Sequence, residues 1–151
     1  MNEKIPDCFY RISVKALILD SGRTKFLLVK EDNGYWALPG GGLDWGENQE
    51  ECIAREIKEE MGLDVLRVAK MPTYFITFQS DLSRHQELNR GDAWRANVIY
   101  DTEVSSLDFV PSEECVAVQF FEPEEVKKLQ AFHGVKIFAS QFDPSKHKSL
   151  E

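Results

Sequence analysis

A chain of 151 residues has the size of one domain, and its 42% hydrophobic and 29% charged content excludes the disordered, collagen-like and membrane classes. Its 26 carboxylates outnumber its 18 lysines and arginines, leaving a net charge of -8. That balance excludes a nucleic-acid polymer as partner, because such polymers are gripped through their phosphates by Lys and Arg. A small anionic substrate stays open if something positive stands between it and the carboxylates.

The N-terminal "MNEKIPDCFYR" has no basic start, apolar core and cleavage site, and no apolar run reaches the length of a membrane span. One cytoplasmic domain over residues 1–151 is therefore expected. Cys8, Cys52 and Cys115 are odd in number and widely spaced, which speaks for reduced thiols, with Cys52 packing as a small apolar residue. His85, His133 and His147 show no metal spacing and read as surface or loop histidines.

In chain order, "RISVKALILD" places Ile12, Val14, Ala16 and Ile18 on one side of a strand. "DSGRT" reads as a turn, "KFLLVKED" as a second strand closing a hairpin with the first, and "NGYWAL" as a turn with a short third strand before Pro39. "PGGG" follows, glycines that let backbone approach a ligand closely. Glu47 to Met61 is predicted helical, with Glu50 and Glu51 in its first turn and Gly62 closing it. Ile53, Ala54, Ile57 and Met61 form its sheet-facing stripe.

"DVLRVAK", "PTYFITFQS", "WRANVIYDTEV" and "VAVQFF" read as further strands. Between the second and third of these, Ser80 to Ala93 is a long polar connection carrying Arg84, His85 and Arg90, a length at which loops tend to be functional or disordered. "EPEEVKKLQAFHG" is predicted helical, with Val126, Leu129 and Phe132 or His133 in register and Gly134 as its stop. Strands interleaved with helices predict an α/β fold, a mixed β-sheet packed between helices.

Glu56, Glu59 and Glu60 share a second stripe of the central helix, spaced i, i+3, i+4. Like charges so placed cost about 0.2 to 0.5 kcal/mol per pair, and acids near a helix C-terminus oppose its dipole. Arg55 offsets part of this through Glu59. Two readings stand: a solvated charged face, or hard oxygen ligands for a divalent cation such as Mg²⁺ or Mn²⁺. No phosphate-binding P-loop, dinucleotide fingerprint, calcium loop or serine-nucleophile motif is present.

These residues resemble the Nudix box, G-x5-E-x7-R-E-U-x-E-E-x-G-U with U a bulky aliphatic: Gly41, Glu47, then Arg55-Glu56-Ile57-Lys58-Glu59-Glu60-Met61-Gly62-Leu63. Every fixed position is filled. The order of strands, the "FFEPEEV" stretch and a closing helix extend the likeness over most of the chain. The resemblance implies a Nudix-type sandwich and divalent-metal-dependent hydrolysis of a pyrophosphate bond in a small nucleoside-diphosphate-linked substrate, by metal-activated water. It implies Glu56 and Glu60 as metal ligands, Glu59 as a further ligand or base, and a carbonyl of Gly40 or Gly41 in the coordination sphere. Arg55 orients the carboxylates, and Glu47 braces the loop or binds a second metal through water.

Glu113 and Glu114, just before a strand, are candidates for an additional carboxylate, and Lys30, Trp94 and Arg95 for substrate contacts. Trp36 and Trp45 are aromatic alternatives, and Arg11 a further cation on the opening strand. The markers of ADP-ribose and dinucleoside-polyphosphate preference are not in place, so the substrate stays open between nucleoside triphosphates, nucleotide sugars and similar compounds. An intact box favours an enzyme over a non-catalytic module that senses a nucleotide or binds a protein, and over a purely structural ion-binding domain.

Overall fold

The computed structural model describes residues 10–79 and 94–148. Strands β1 (Tyr10–Leu17), β2 (Phe26–Lys30), β3 (Trp36–Ala37) and β4 (Gly40–Gly42) precede helix α1 (Gln49–Met61). Then come β5 (Val65–Val68), β6 (Tyr74–Gln79), β7 (Trp94–Val104), β8 (Ala117–Phe121), α2 (Pro123–Val126) and α3 (His133–Gln141). The larger sheet runs β4-β1-β7, with β6 and β5 following one another along the far edge of β7, and the smaller runs β3-β2-β8. β1 and β7 are parallel from Tyr10↔Trp94 to Leu17↔Asp101, and every other pair is antiparallel. This is the expected mixed-sheet α/β sandwich.

Strand alternation builds two cores. Val14, Ala16, Leu27 and Val29 pack with Ile53, Ile57 and Met61 of α1. Leu17, Phe26 and Leu28 pack with Tyr74, Ile99, Phe121 and Phe138 of the α3 side. Both faces of β2 are thereby buried, and "FLLV" is a continuous apolar run for that reason.

Several expectations need correction. The predicted hairpin of the first two strands exists only at its root, where Leu19 bridges Phe26 and Asp20 accepts the amide of Arg23. Beyond it both edges of β1 are taken by β4 and β7, so β2 joins the other sheet. The central helix starts at Gln49, not Glu47: the Asn48 side chain accepts the Glu51 amide, while the Glu51 carboxylate accepts the Asn48 amide. Ala54 is exposed, and Cys52, fully buried, takes its place in the apolar stripe. The last predicted helix is split, because residues 130–132 are drawn into hydrogen bonds with Trp36: its amide donates to Gln130 O, and Phe132 donates back to its carbonyl. Gly134 lies inside α3 rather than stopping a helix, since a Cβ there would stand 2.6 Å from the Phe78 ring.

His147 is no surface histidine. Buried beside Phe142, it meets the Asp101 carboxylate at 2.8 Å through Nδ1 and the Tyr74 hydroxyl at 2.8 Å through Nε2. The Asp143 amide donates to the same hydroxyl, so the segment after α3 is tied to β6 and β7. Cys52 and Cys115 are free buried thiols; Cys8 and the connection carrying Arg84, His85 and Arg90 lie outside the described residues.

The stripe assignment can be tested by chemical denaturation. Ile57→Ala, at a fully buried site, is expected to cost about 2 to 5 kcal/mol. Ala54→Ser, on the exposed side of α1, should stay within about 0.5 kcal/mol of the parent.

Candidate active site

Strand β4 is three glycines long because it is wedged between β1 and α1. Gly40 has φ +123°, and a Cβ on it would collide with the Val14 carbonyl oxygen. A Cβ on Gly41 would stand 2.5 Å from the Glu56 carboxyl group, so that carboxylate lies directly on the backbone. Helix α1 is rigidly capped, by the Asn48–Glu51 box at its start and by Gly62 in the left-handed conformation at its end. The rigid helix sets its carboxylates against a strand without side chains.

One guanidinium organises the loop and the helix. Arg55 donates from Nε and Nη2 to the two oxygens of Glu47 at 2.7 and 2.9 Å, a bidentate pair. Its Nη1 donates to Glu56 at 3.0 Å and Glu59 at 3.3 Å, and its Nη2 also reaches the Gly42 carbonyl at 3.1 Å. Glu47 lies in the loop before α1, where it accepts the Asp44 amide. Arg55 holds the Glu47 carboxyl down to about 2, and Glu47 in turn raises the Arg55 pKa above its ordinary value.

Beside this clamp, Glu31, Gly40, Gly41, Glu56, Glu60 and Glu114 line a cleft of about 270 Å³. The three helix glutamates are not equivalent. The Glu59 side chain is 55% exposed and does not line the cleft, Glu56 is 13% exposed, and Glu60 is buried at 5% with the Gly40 amide donating to it at 2.8 Å. Burial pushes the Glu60 carboxyl up to about 8, against the opposing pull of the Lys15 charge and the Gly40 amide. Burial also raises Glu56, with Arg55 opposing, and Glu114 adds a like charge to both. Glu60 falls seven residues after Ile53 and three after Ile57, which puts it at the border of the apolar stripe. That spacing is the signal by which its burial could have been read.

The remaining sequence candidates divide. Glu114 faces the cleft, while Glu113 uses its carbonyl to accept the Asp32 amide and does not line it. The Lys30 ammonium lies 5.9 Å from the Trp36 ring centre, and Trp36 itself packs edge-on against Phe121. Trp94 and Arg95 are neighbours on β7 and point to opposite faces of the sheet: Arg95 shares the side of Arg11, and Trp94 leans on Tyr10. Trp45 is fully exposed. Sequence reasoning missed Glu31 and Lys15, because the two sheets had to be paired before either could be placed beside the box.

The donor set suits a hard divalent cation: carboxylates and glycine carbonyls on rigid elements, with one carboxyl buried at a cost that a cation would offset. Among the described residues no three such side chains converge closely enough to ligate one ion as they stand. Arg55 draws Glu56 aside and the Gly40 amide engages Glu60, so loading would release Glu56 and Glu60 from these partners.

The family model of the NUDIX domain matches residues 9–141. The nucleoside triphosphatase NudI of Escherichia coli O81 (strain ED1a) is 29% identical over 122 residues, covering 77% of this chain and 84% of that protein. Among solved structures, a MutT protein from Methanosarcina mazei Go1 aligns with TM-score 0.65 and 25% identity, covering 92% of this chain and 96% of that one. An ADP-ribose pyrophosphatase from Streptococcus suis 89-1591 aligns with TM-score 0.60 and 26% identity, covering 95% and 97%.

The shifted carboxylates have opposite consequences for stability. Glu60 releases its proton near 4.5 when exposed and near 8 when folded, so the native state binds more protons between these values and stability falls as pH rises through them. The depressed Glu47 acts the other way, its contribution being present above 4.5 and lost as pH falls toward about 2. Thermal unfolding in chelator should show Tm falling from about pH 5 to about pH 9. Glu60→Gln should flatten most of that fall, and Mg²⁺ should raise Tm most at the alkaline end. An alkaline slope unchanged in the variant would remove Glu60 from this account.

Proposed function

Since the chain belongs to the Nudix family, we propose that it hydrolyses a pyrophosphate bond in a small nucleoside-diphosphate-linked substrate, such as a nucleoside triphosphate or nucleotide sugar, with Mg²⁺ or Mn²⁺. The carrying observation is the cleft itself, where the buried Glu60 faces Glu56 and Glu114 beside the glycine backbone of β4. Glu56 and Glu60, a carbonyl of Gly40 or Gly41, and Glu114 would hold the cation. When bound, it supplies Lewis acidity that makes water nucleophilic at neutral pH and offsets charge on the phosphoryl oxygens.

The chain's own groups do the rest. Arg55 holds Glu59, keeps the loop closed through Glu47 and would release Glu56 to a bound cation. Glu59, exposed and bonded to Arg55, would accept the proton of the attacking water. Arg95 and Lys30 offer cations to the remainder of an anionic substrate, and Trp94, on the other face of the sheet, does not serve the same ligand as Arg95. We place the reaction in the cytoplasm, in one domain, consistent with the two free buried thiols and with no described helix long and apolar enough to cross a membrane.

The likeness to a nucleoside triphosphatase and to an ADP-ribose pyrophosphatase sets the first substrates to try. A panel of nucleoside triphosphates, nucleotide sugars, ADP-ribose, dinucleoside polyphosphates and coenzyme A, assayed with Mg²⁺ and Mn²⁺, should give turnover of at least one. Glu60→Gln should lower kcat on that substrate about 100-fold or more with the fold retained. Glu114→Gln should also lower it, whereas Glu113→Gln should leave it close to the parent. No release of phosphate or nucleotide from any compound would favour the non-catalytic sensing module instead.

A further inference from the structure

Across the β1–β4 ladder from Gly40 stands Lys15, a residue with no counterpart in the box. Its ammonium donates to the Leu38 carbonyl at 3.4 Å and the Gly40 carbonyl at 3.5 Å. Both bonds lie at the long limit, both acceptors are neutral, and an ammonium has three donors to place. This charge is weakly held.

Its surroundings give it a use. Apart from the two glycines, every residue lining the cleft is acidic, so a polyanion entering there meets carboxylates. Arg55 cannot serve that anion, being spent on Glu47, Glu56, Glu59 and the Gly42 carbonyl. Lys15 bonds to the carbonyl of a residue that lines the cleft, and its charge already acts on Glu60. Along β1 it follows Arg11 and Ser13 on one face, opposite Arg95 and Asn97 of β7. It therefore stands where the carboxylate cleft meets a polar strip of the sheet.

We propose that Lys15 is a substrate-binding residue that contacts a non-bridging oxygen of the diphosphate group. The assignment rests on the pyrophosphate-hydrolysing reading above. In the cation-free protein the Lys15 ammonium is turned to the Leu38 and Gly40 carbonyls. Once a diphosphate enters, the ammonium is free to turn from two neutral carbonyls to an anionic oxygen, a stronger acceptor.

The test uses isothermal titration of the full chain with two probes, Mn²⁺ alone and imidodiphosphate in saturating Mg²⁺. Lys15→Met should weaken imidodiphosphate binding about tenfold or more while Mn²⁺ binding is equal to or tighter than the parent's. Lys15→Arg should restore part of the loss. Lys15→Gln, which keeps a donor for the two carbonyls without the charge, stands in if the Met variant does not fold. Equal imidodiphosphate affinity with only a lower metal-free Tm would overturn the proposal and leave Lys15 a structural residue that holds the Leu38 and Gly40 carbonyls. A parallel loss of Mn²⁺ affinity would also overturn it, placing the effect at the cation. A parent that binds Mn²⁺ but not imidodiphosphate would take the proposed function down with it.

Discussion

A single guanidinium carries the arrangement. Arg55 forks onto Glu47, reaches Glu56 and Glu59, and bonds the carbonyl of Gly42. It thereby joins the loop before α1, the outer face of α1 and strand β4, three segments that otherwise present one another with like charge or bare backbone. A lysine, a point charge without the planar fork, could satisfy one of these partners but not the set. The partner oxygens in turn hold Arg55 charged, and their mutual dependence is visible in the opposite pKa shifts of Glu47 and Arg55.

That clamp operates against local preference. The helix places Glu56, Glu59 and Glu60 within one turn near its C-terminal end, and Glu60 is buried rather than solvated. The cost is borne by the other side of α1, where Cys52, Ile53, Ile57 and Met61 are inaccessible to solvent, and by caps at both ends of the helix. Strong apolar anchoring on one face allows an electrostatically strained face on the other. That strain is what a cation bound as proposed would relieve.

The strand architecture supplies the backbone half of the site. β1 is held on one edge by β7 through a parallel ladder of eight pairs and on the other by the three glycines of β4. A strand fixed from both sides cannot shift register, so Lys15 stays opposite Gly40 and Val14 opposite Gly41. The far end of the sheet is secured separately, by Gly134 admitting α3 against Phe78 and by the buried Tyr74–His147–Asp101 chain. Both devices lie in the C-terminal stretch, which reads as an ordinary amphipathic tail when its periodicity alone is considered.

The sequence by itself determined the features that depend on neighbours in the chain. Helical spacing of Ile53, Ile57 and Met61, a glycine stop at Gly62, period-two strands and the fixed offsets from Gly41 to Leu63 are local, and they sufficed for α1, for most of the strands and for the family. Tertiary structure alone decided what depends on partners far away in sequence. Pairing with β7 and β4 parted β1 from β2, contacts with Trp36 broke the last predicted helix, and packing of α1 against β4 sorted three glutamates into buried, half-buried and exposed. Glu114 and Glu31 reached the cleft, and Lys15 the carbonyl of its Gly40, on strands and loops outside the box. A one-residue slip would have turned Lys15 to the opposite face, and no pattern of residues within β1 encodes which strand will lie beside it.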